Sequence, residues 1–159
     1  MDSDKIMRKQ LVELLEGKSA HLDFDRAIAN LPPKMRGVRP PNTPHTVWRL
    51  VEHMRLAQRD ILDFSKDGHH VSPEWPDGYW PESDAPESSK QWTQTVKAFH
   101  ADLEEMIALV KSKKTDLLAP IEGGKGQTIF REAMLVADHN AYHLGQIVMV
   151  RRVLGVWKD

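Results

Sequence analysis

The sequence predicts an all-α protein built as a bundle of helices. Two observations support this fold. Four segments carry apolar residues at the three- and four-residue spacing of a helix that faces a core. No segment of comparable length alternates apolar and polar residues as a half-buried strand would. The 159 residues contain no evident linker, repeat or low-complexity tract, so we expect residues 1–159 to form a single domain.

The first helix is predicted over residues 4–16, where apolar residues recur at helical spacing. Gly17 is a suitable stop, and Ser19 is placed to cap a continuation that two consecutive prolines end. Residues 34–42 are basic and rich in proline. We therefore expect a loop there that wraps back over the bundle.

The second helix is predicted to open at Thr43 and Pro44, because threonine is a good cap and proline at the first helical position costs no hydrogen bond. Its apolar stripe ends at Phe64. Residues 69–89 then show little periodicity and include the run Trp75-Pro-Asp-Gly-Tyr-Trp-Pro81. This pattern predicts a long ordered aromatic loop between the second and third helices, and loops of this length are often functional.

Two longer helices complete the predicted bundle. The third is expected over residues 88–112, and the fourth over residues 128–154. The fourth is apolar almost all the way round, which is typical of a helix at the centre of a bundle.

The composition narrows the classes of function. The 22 basic and 23 acidic residues leave a net charge of −1, which argues against nucleic acid or an anionic membrane as a partner. Without cysteine, disulfides, thiolate nucleophiles and cysteine-type zinc sites are excluded. Any bound metal must therefore be held by His, Asp or Glu. The N-terminus lacks the apolar core of a signal peptide and no apolar run reaches membrane-spanning length, so we expect a cytoplasmic protein.

Three histidines form a candidate metal site. His139 and His143 are four residues apart in an apolar helical segment, so both rings lie on one face and can turn a nitrogen toward one point. His53 falls in the apolar stripe of the second helix, three residues after Leu50, and is expected to face the interior. Three neutral imidazoles leave part of a divalent ion's coordination sphere open, which is typical of catalytic metal sites.

These residues also have ordinary interpretations. A single buried imidazole is usually satisfied by a carbonyl or hydroxyl group, and histidines four apart also arise by chance, so the residues alone leave open both a metal site and separately hydrogen-bonded histidines. Gln146 could line the same pocket, although a packed or solvated amide is commoner. His45 and His21 could approach its rim, but a surface or capping role is preferred for both. The other histidines, expected at the surface, are His69, His70 and His100.

The aromatic residues of the long loop have two interpretations. Trp75, Tyr79 and Trp80 could dock the loop on the helices, which is the commoner use of such side chains. They could instead form an apolar lid over the open side of the metal and shape a substrate pocket.

Three stretches of the chain resemble the DinB/YfiT-like superfamily, whose members are regarded as metalloenzymes. They are residues 44–53, the Gly-Tyr-Trp-Pro run at 78–81, and residues 136–146 with their two histidines. The likeness extends from the first helix to about Trp157. It implies an antiparallel four-helix bundle that binds a divalent metal, often nickel or zinc. By that likeness the ligands are His53, His139 and His143.

The resemblance also implies a function. Relatives include transferases and isomerases that use bacillithiol, mycothiol or glutathione, so we expect a metal-dependent S-transferase or isomerase that acts on a small molecule with a low-molecular-weight thiol. A hydrolase that uses metal-activated water, and a non-catalytic protein whose fold the metal stabilises, stay open as alternatives. Relatives often pair through helical faces, which makes a homodimer a further possibility.

Overall fold

The computed structural model describes residues 3–17 and 19–158, and within these ranges the regular structure is helical, with no β-strand. This confirms the all-α class. One isolated antiparallel bridge joins Pro120 and Thr128. Every helix in the described ranges is too short or too polar to cross a lipid bilayer. The described α-helices are α1 (Ser3–Glu16), α2 (Phe24–Ile28), α3 (Val47–Lys66), α4 (Ser89–Lys111) and α5 (Ile129–Val153).

The short helix α2 begins later than the sequence suggested. Residues 19–21 are bent rather than helical, and Asp23 is the cap instead, accepting a hydrogen bond from the backbone N–H of Arg26 at 2.9 Å. Capping by Asp23 places Phe24 at the first helical position, where its ring is buried and stacks on Phe99 of α4. The predicted cap at Ser19 was therefore wrong, because the side chain of Asp23 caps this helix.

The helix that carries His53 also starts three residues later than predicted. Thr46, rather than Thr43, caps α3 by accepting a hydrogen bond from the backbone N–H of Arg49 at 3.1 Å. The hydroxyl of Thr46 also donates to the carbonyl of Asp84 at 2.6 Å, which fastens the segment before α4 to the start of α3. Thr43 belongs to the preceding turn, where its hydroxyl donates to the carbonyl of Pro40.

Helix α3 occupies the middle of the packing. It contacts both α4 and α5 extensively, whereas α1 packs against α4 and α5, and α2 packs against α5. Trp48 of α3 and Trp92 of α4 are 1% and 7% exposed and lie in the core. Because α3 and α5 pack side by side, residues that face each other across their contact can share one site.

The segment between α3 and α4 folds back onto α3. A 3-10 turn, Asp77–Tyr79, contacts α3, and the side chain of Tyr79 is only 9% exposed. Trp80 is partly buried and packs against the core cluster that contains Trp48. Trp75 is 76% exposed, so it does not contribute to that packing.

Candidate metal centre

Three imidazole rings meet where α3 and α5 contact each other. Nε2 of His53 lies 3.1 Å from Nε2 of His143 and 3.0 Å from Nε2 of His139. One nitrogen from each ring lies within 4.8 Å of the others. The structure thus brings together all three histidines that the sequence singled out, across 86 to 90 residues of chain.

Two of the rings are oriented by hydrogen-bond acceptors at Nδ1, the nitrogen that points away from the centre. The Nδ1–H group of His53 donates to the carbonyl oxygen of Tyr79 at 2.8 Å, and the Nδ1–H group of His143 donates to Oε1 of Gln146 at 2.7 Å. A carbonyl oxygen can only accept, so the proton of each neutral ring resides on Nδ1. The Nε2 atoms of His53 and His143 therefore carry lone pairs that point at each other, and a hydrogen bond between them is excluded.

A cation bound between the facing Nε2 lone pairs would stabilise this arrangement. Metal–imidazole bonds of about 2.0–2.1 Å place two nitrogens about 2.9–3.4 Å apart for coordination angles between a right angle and the tetrahedral value. The observed separations of 3.0 and 3.1 Å fall in that range. The outward hydrogen bonds from Nδ1 are also the second contacts that metal-binding histidines usually make. The three histidines are therefore positioned to bind a metal ion.

Electrostatics keep the rings in the neutral form that a metal requires. Burial, together with smaller contributions from the neighbouring rings of His143 and His53, lowers the pKa of His139 to about 3. Burial likewise lowers the pKa of His143 to about 4, although its hydrogen bond to Gln146 acts in the opposite direction. Burial also lowers the pKa of His53. All three imidazoles are accordingly unprotonated near neutral pH and need not lose a proton to bind a metal.

An indole ring closes one side of the centre. Trp80 stacks on His53 with ring centroids 3.8 Å apart and planes 2° from parallel, and it also stacks on His45 at 4.0 Å and 9°. Trp75 is exposed and contacts only the edge of this group, through the ring of Tyr79 at 5.6 Å. Of the two tryptophans in the predicted loop, Trp80 is the one that lies against the candidate ligands.

The loop that supplies the Tyr79 carbonyl is anchored by a carboxylate of α3. The hydroxyl of Tyr79 donates to Oδ2 of Asp60 at 2.8 Å, and Nε2 of His70 lies 2.8 Å from Oδ1 of the same residue. His70 is half-buried, so its expected exposed position was wrong, because its ring pairs with Asp60. Asp60 thus holds the backbone that orients His53, although it touches no ligand.

The two carboxylates nearest in sequence to the ligands are either engaged by other side chains or exposed to solvent. Glu52 pairs with Arg55 and accepts a hydrogen bond from the hydroxyl of Thr95 at 2.7 Å. Asp138 is exposed. These residues therefore leave the three imidazoles as the polar groups that converge on the site.

The remaining sequence candidates divide by their distance from the centre. His45 lies beside it through Trp80, and Gln146 touches His143 directly, so the preference for a merely packed or solvated amide was wrong. His21 is exposed and bonds the neighbouring carbonyl of Leu22. His100, on α4, pairs with Asp25 of α2. The acceptor role of the Tyr79 carbonyl has no signal in the sequence, because every residue carries such a group.

Comparison with known proteins gives one match. A family model described as the DinB superfamily matches residues 19–147, a span that includes all three converging histidines. Neither a curated protein nor a solved structure matches the chain.

Proposed function

The chain belongs to the DinB superfamily, and from that premise we propose that it is a metal-dependent enzyme whose divalent ion, nickel or zinc, is held by His53, His139 and His143. The observation that carries this proposal is the set of facing lone pairs at Nε2, fixed by the acceptors at Nδ1. We also propose that the helices form the antiparallel four-helix bundle expected for the family.

A catalytic role is favoured over a purely structural one. Structural zinc sites use four protein ligands, whereas the metal-binding group found among the described residues consists of three histidines. His139 is only half-buried, so the centre is not sealed from small molecules. When bound, the ion would supply Lewis acidity that lowers the pKa of a thiol or a water molecule.

Within this class we propose a thiol-dependent S-transferase or isomerase that acts on a small molecule. The cysteine-free chain supplies no thiol nucleophile of its own, so the nucleophile would come from a low-molecular-weight thiol. The carboxylates beside the ligands are engaged or solvent-facing, which gives less support to a hydrolase that relies on a nearby general base. The near-balanced charge fits a small-molecule substrate better than a nucleic acid.

Cobalt(II) substitution tests the proposal. The wild-type protein should bind one equivalent of cobalt, and addition of glutathione, bacillithiol or mycothiol should produce a sulfur-to-cobalt charge-transfer band in the near ultraviolet. His139→Ala should lose both the metal and the band, whereas His21→Ala, which changes an exposed histidine, should keep both. Bound cobalt without a band for any of the three thiols would contradict the thiol mechanism. Ester cleavage without thiol would then favour the hydrolase.

A further inference from the structure

A cavity between the C-terminal end of α2 and the C-terminal end of α5 is lined by basic side chains. Its volume is about 420 Å³, and its wall includes Arg26, Pro32, Arg151, Val156, Trp157 and Lys158. No acidic residue of the described chain lines it. The whole chain carries 22 basic and 23 acidic residues, so this local excess of positive charge does not follow from a basic composition. The cavity shares no lining residue with the three converging histidines, so its role is independent of the proposed function.

The guanidinium of Arg151 is a buried positive charge beside this cavity. The residue is 3% exposed, and burial lowers its pKa without an opposing contribution from any described carboxylate. Its Nη atoms donate to the backbone carbonyls of Ala27, Ala29 and Val156. Its Nε is buried and has no hydrogen-bond partner in the described part of the chain. Because a buried charge is costly unless an opposite charge accompanies it, an anion bound in the cavity would stabilise this residue.

Two exposed cations line the same cavity. The backbone N–H of Arg26 donates to Asp23, but the guanidinium of Arg26 has no partner among the described residues. The ammonium group of Lys158 likewise forms no ion pair within residues 3–17 and 19–158. Since the described side chains neutralise neither cation, both can pair with a bound anion.

The segment that carries Lys158 is held against α5. The backbone N–H of Val156 donates to the carbonyl of Arg151 at 3.0 Å, and Nη2 of Arg151 donates to the carbonyl of Val156 at 3.1 Å. The centroid of the Trp157 ring lies 4.9 Å from the guanidinium carbon of Arg151 and 5.9 Å from that of Arg152. This side of the cavity is therefore preformed.

A second basic cavity, between α1 and the end of α4, differs in its charge balance. Its wall also contains Asp4 and Glu13, which pair with Arg8 and Lys9. These ion pairs leave less positive charge for a ligand. The cavity between α2 and α5 is therefore the better candidate for binding an anion.

The charge and the lining of the cavity define what would fill it. A phosphate monoester carries nearly two negative charges at neutral pH, which matches three cations better than the single charge of a carboxylate. Small-molecule sites have volumes of about 300–1,000 Å³, and 420 Å³ lies in that range. The wall also offers apolar contact through Pro32, Val156 and Trp157. The ligand that fits best has a phosphate group and a small apolar part.

We propose that this cavity binds a small phosphate monoester. The phosphate group would pair with Arg26 and Lys158 and would offset the buried charge of Arg151. The apolar part of the ligand would lie against Pro32 and Trp157.

Calorimetric titration with phenyl phosphate, inorganic phosphate and benzoate tests this chemistry. The wild-type protein should bind one equivalent of phenyl phosphate about 10-fold more tightly than inorganic phosphate, which lacks an apolar group. It should bind phenyl phosphate about 5-fold or more tightly than benzoate, which carries one negative charge. Equal affinity for phenyl phosphate and benzoate would overturn the assignment of a phosphate group. Equal affinity for phenyl phosphate and inorganic phosphate would overturn the role of the apolar wall.

Substitutions of the two exposed cations test the position of the site. Arg26→Gln and Lys158→Gln should each weaken binding of phenyl phosphate about 5- to 10-fold, because each removes one charge-assisted contact. Lys114→Gln and Lys125→Gln remove the same charge from exposed positions between α4 and α5, and they should keep the affinity within about 2-fold of the wild-type value. Equal losses in the two pairs of variants would indicate attraction to the net charge alone and would overturn the site. Arg151 stays unchanged in these variants because its hydrogen bonds support the fold.

A variant of the metal centre separates this cavity from the three histidines. His139→Ala should bind phenyl phosphate with the wild-type affinity, because His139 does not line the cavity. Loss of phenyl phosphate binding in His139→Ala, with unchanged binding in Arg26→Gln, would assign the anion to the metal centre and overturn the proposal. Failure of the wild-type protein to bind any metal would overturn the proposed function and leave this cavity unaffected.

Discussion

Replacing Asp60 with alanine tests whether the orientation of His53 is controlled through the loop that Asp60 anchors. Asp60 touches no candidate ligand, but it holds the Tyr79 hydroxyl and the His70 ring, and the Tyr79 carbonyl accepts the hydrogen bond from His53. Removing the carboxylate should loosen this carbonyl. The ring of His53 would then lose the partner that fixes its proton on Nδ1.

The expected effect follows from the two hydrogen bonds that are lost. Each bond to a carboxylate contributes about 1–1.5 kcal/mol at a site that is only partly buried, so Asp60→Ala should lower the free energy of unfolding by about 2–3 kcal/mol. For a chain of 159 residues this corresponds to a fall in melting temperature of about 5–10 °C. Loss of an outer hydrogen-bond partner costs 10- to 100-fold in metal affinity, and the indirect path here suggests about 10-fold.

The assay combines thermal unfolding with zinc titration against a chelating indicator. Asp60→Asn should show less than half of either effect, since its amide oxygen can still accept the Tyr79 hydroxyl. Asp63→Ala is the matched control one turn along α3, where the carboxylate pairs with Arg59. It should cost some stability and leave zinc affinity unchanged. Unchanged affinity in Asp60→Ala, or an equal loss in Asp63→Ala, would refute the proposed path from Asp60 to the ligand.

Three further results are expected. Trp80→Ala should lower the free energy of unfolding by about 2 kcal/mol and speed metal release, because it removes the ring stacked on a ligand. Trp75→Ala, which changes an exposed residue, should keep the free energy of unfolding within about 0.5 kcal/mol of the wild-type value in urea titrations. Equal effects of the two substitutions would contradict this. The metal-free protein should lose stability as pH falls below about 6.5, by up to about 1.4 kcal/mol per pH unit for each site histidine. The reason is that the unfolded chain takes up protons that native His139 and His143, with pKa values of about 3 and 4, do not. Urea titrations at pH 7, 6 and 5 measure this loss, and a free energy of unfolding that does not change with pH would contradict it. Arg151→Met should lower the free energy of unfolding by about 2–4 kcal/mol in the same titrations, because three backbone carbonyls lose their donor. The zinc stoichiometry should not change. Loss of zinc would contradict the view that Arg151 stabilises the fold without contributing to the metal site.

The helices that follow a clear cap were predictable from the sequence. Ser88 and Thr128 each accept a hydrogen bond from the backbone N–H three residues on, and α4 and α5 begin within one residue of the expected positions. The start of α3 was missed because Thr43 and Thr46 are both good caps locally. Thr46 is selected by a distant contact, its hydrogen bond to the Asp84 carbonyl, which local sequence cannot reveal.

The candidate site was predictable to a similar extent. The four-residue spacing of His139 and His143, together with the apolar surroundings of His53, indicated three rings that could converge. The groups that orient those rings could not be predicted in the same way. The Tyr79 carbonyl and the stack of Trp80 on His53 depend on how an irregular loop folds back onto α3, and that path is set by tertiary hydrogen bonds to Asp60 rather than by periodicity.

A crystal structure of the zinc- or nickel-loaded protein, with anomalous diffraction collected at the absorption edge of the metal, would show whether the three histidines hold an ion. One strong anomalous peak is expected about 2.0–2.1 Å from Nε2 of each of His53, His139 and His143. A metal-loaded crystal whose anomalous peak lies elsewhere, or rings that keep their facing nitrogens without any ion between them, would contradict it.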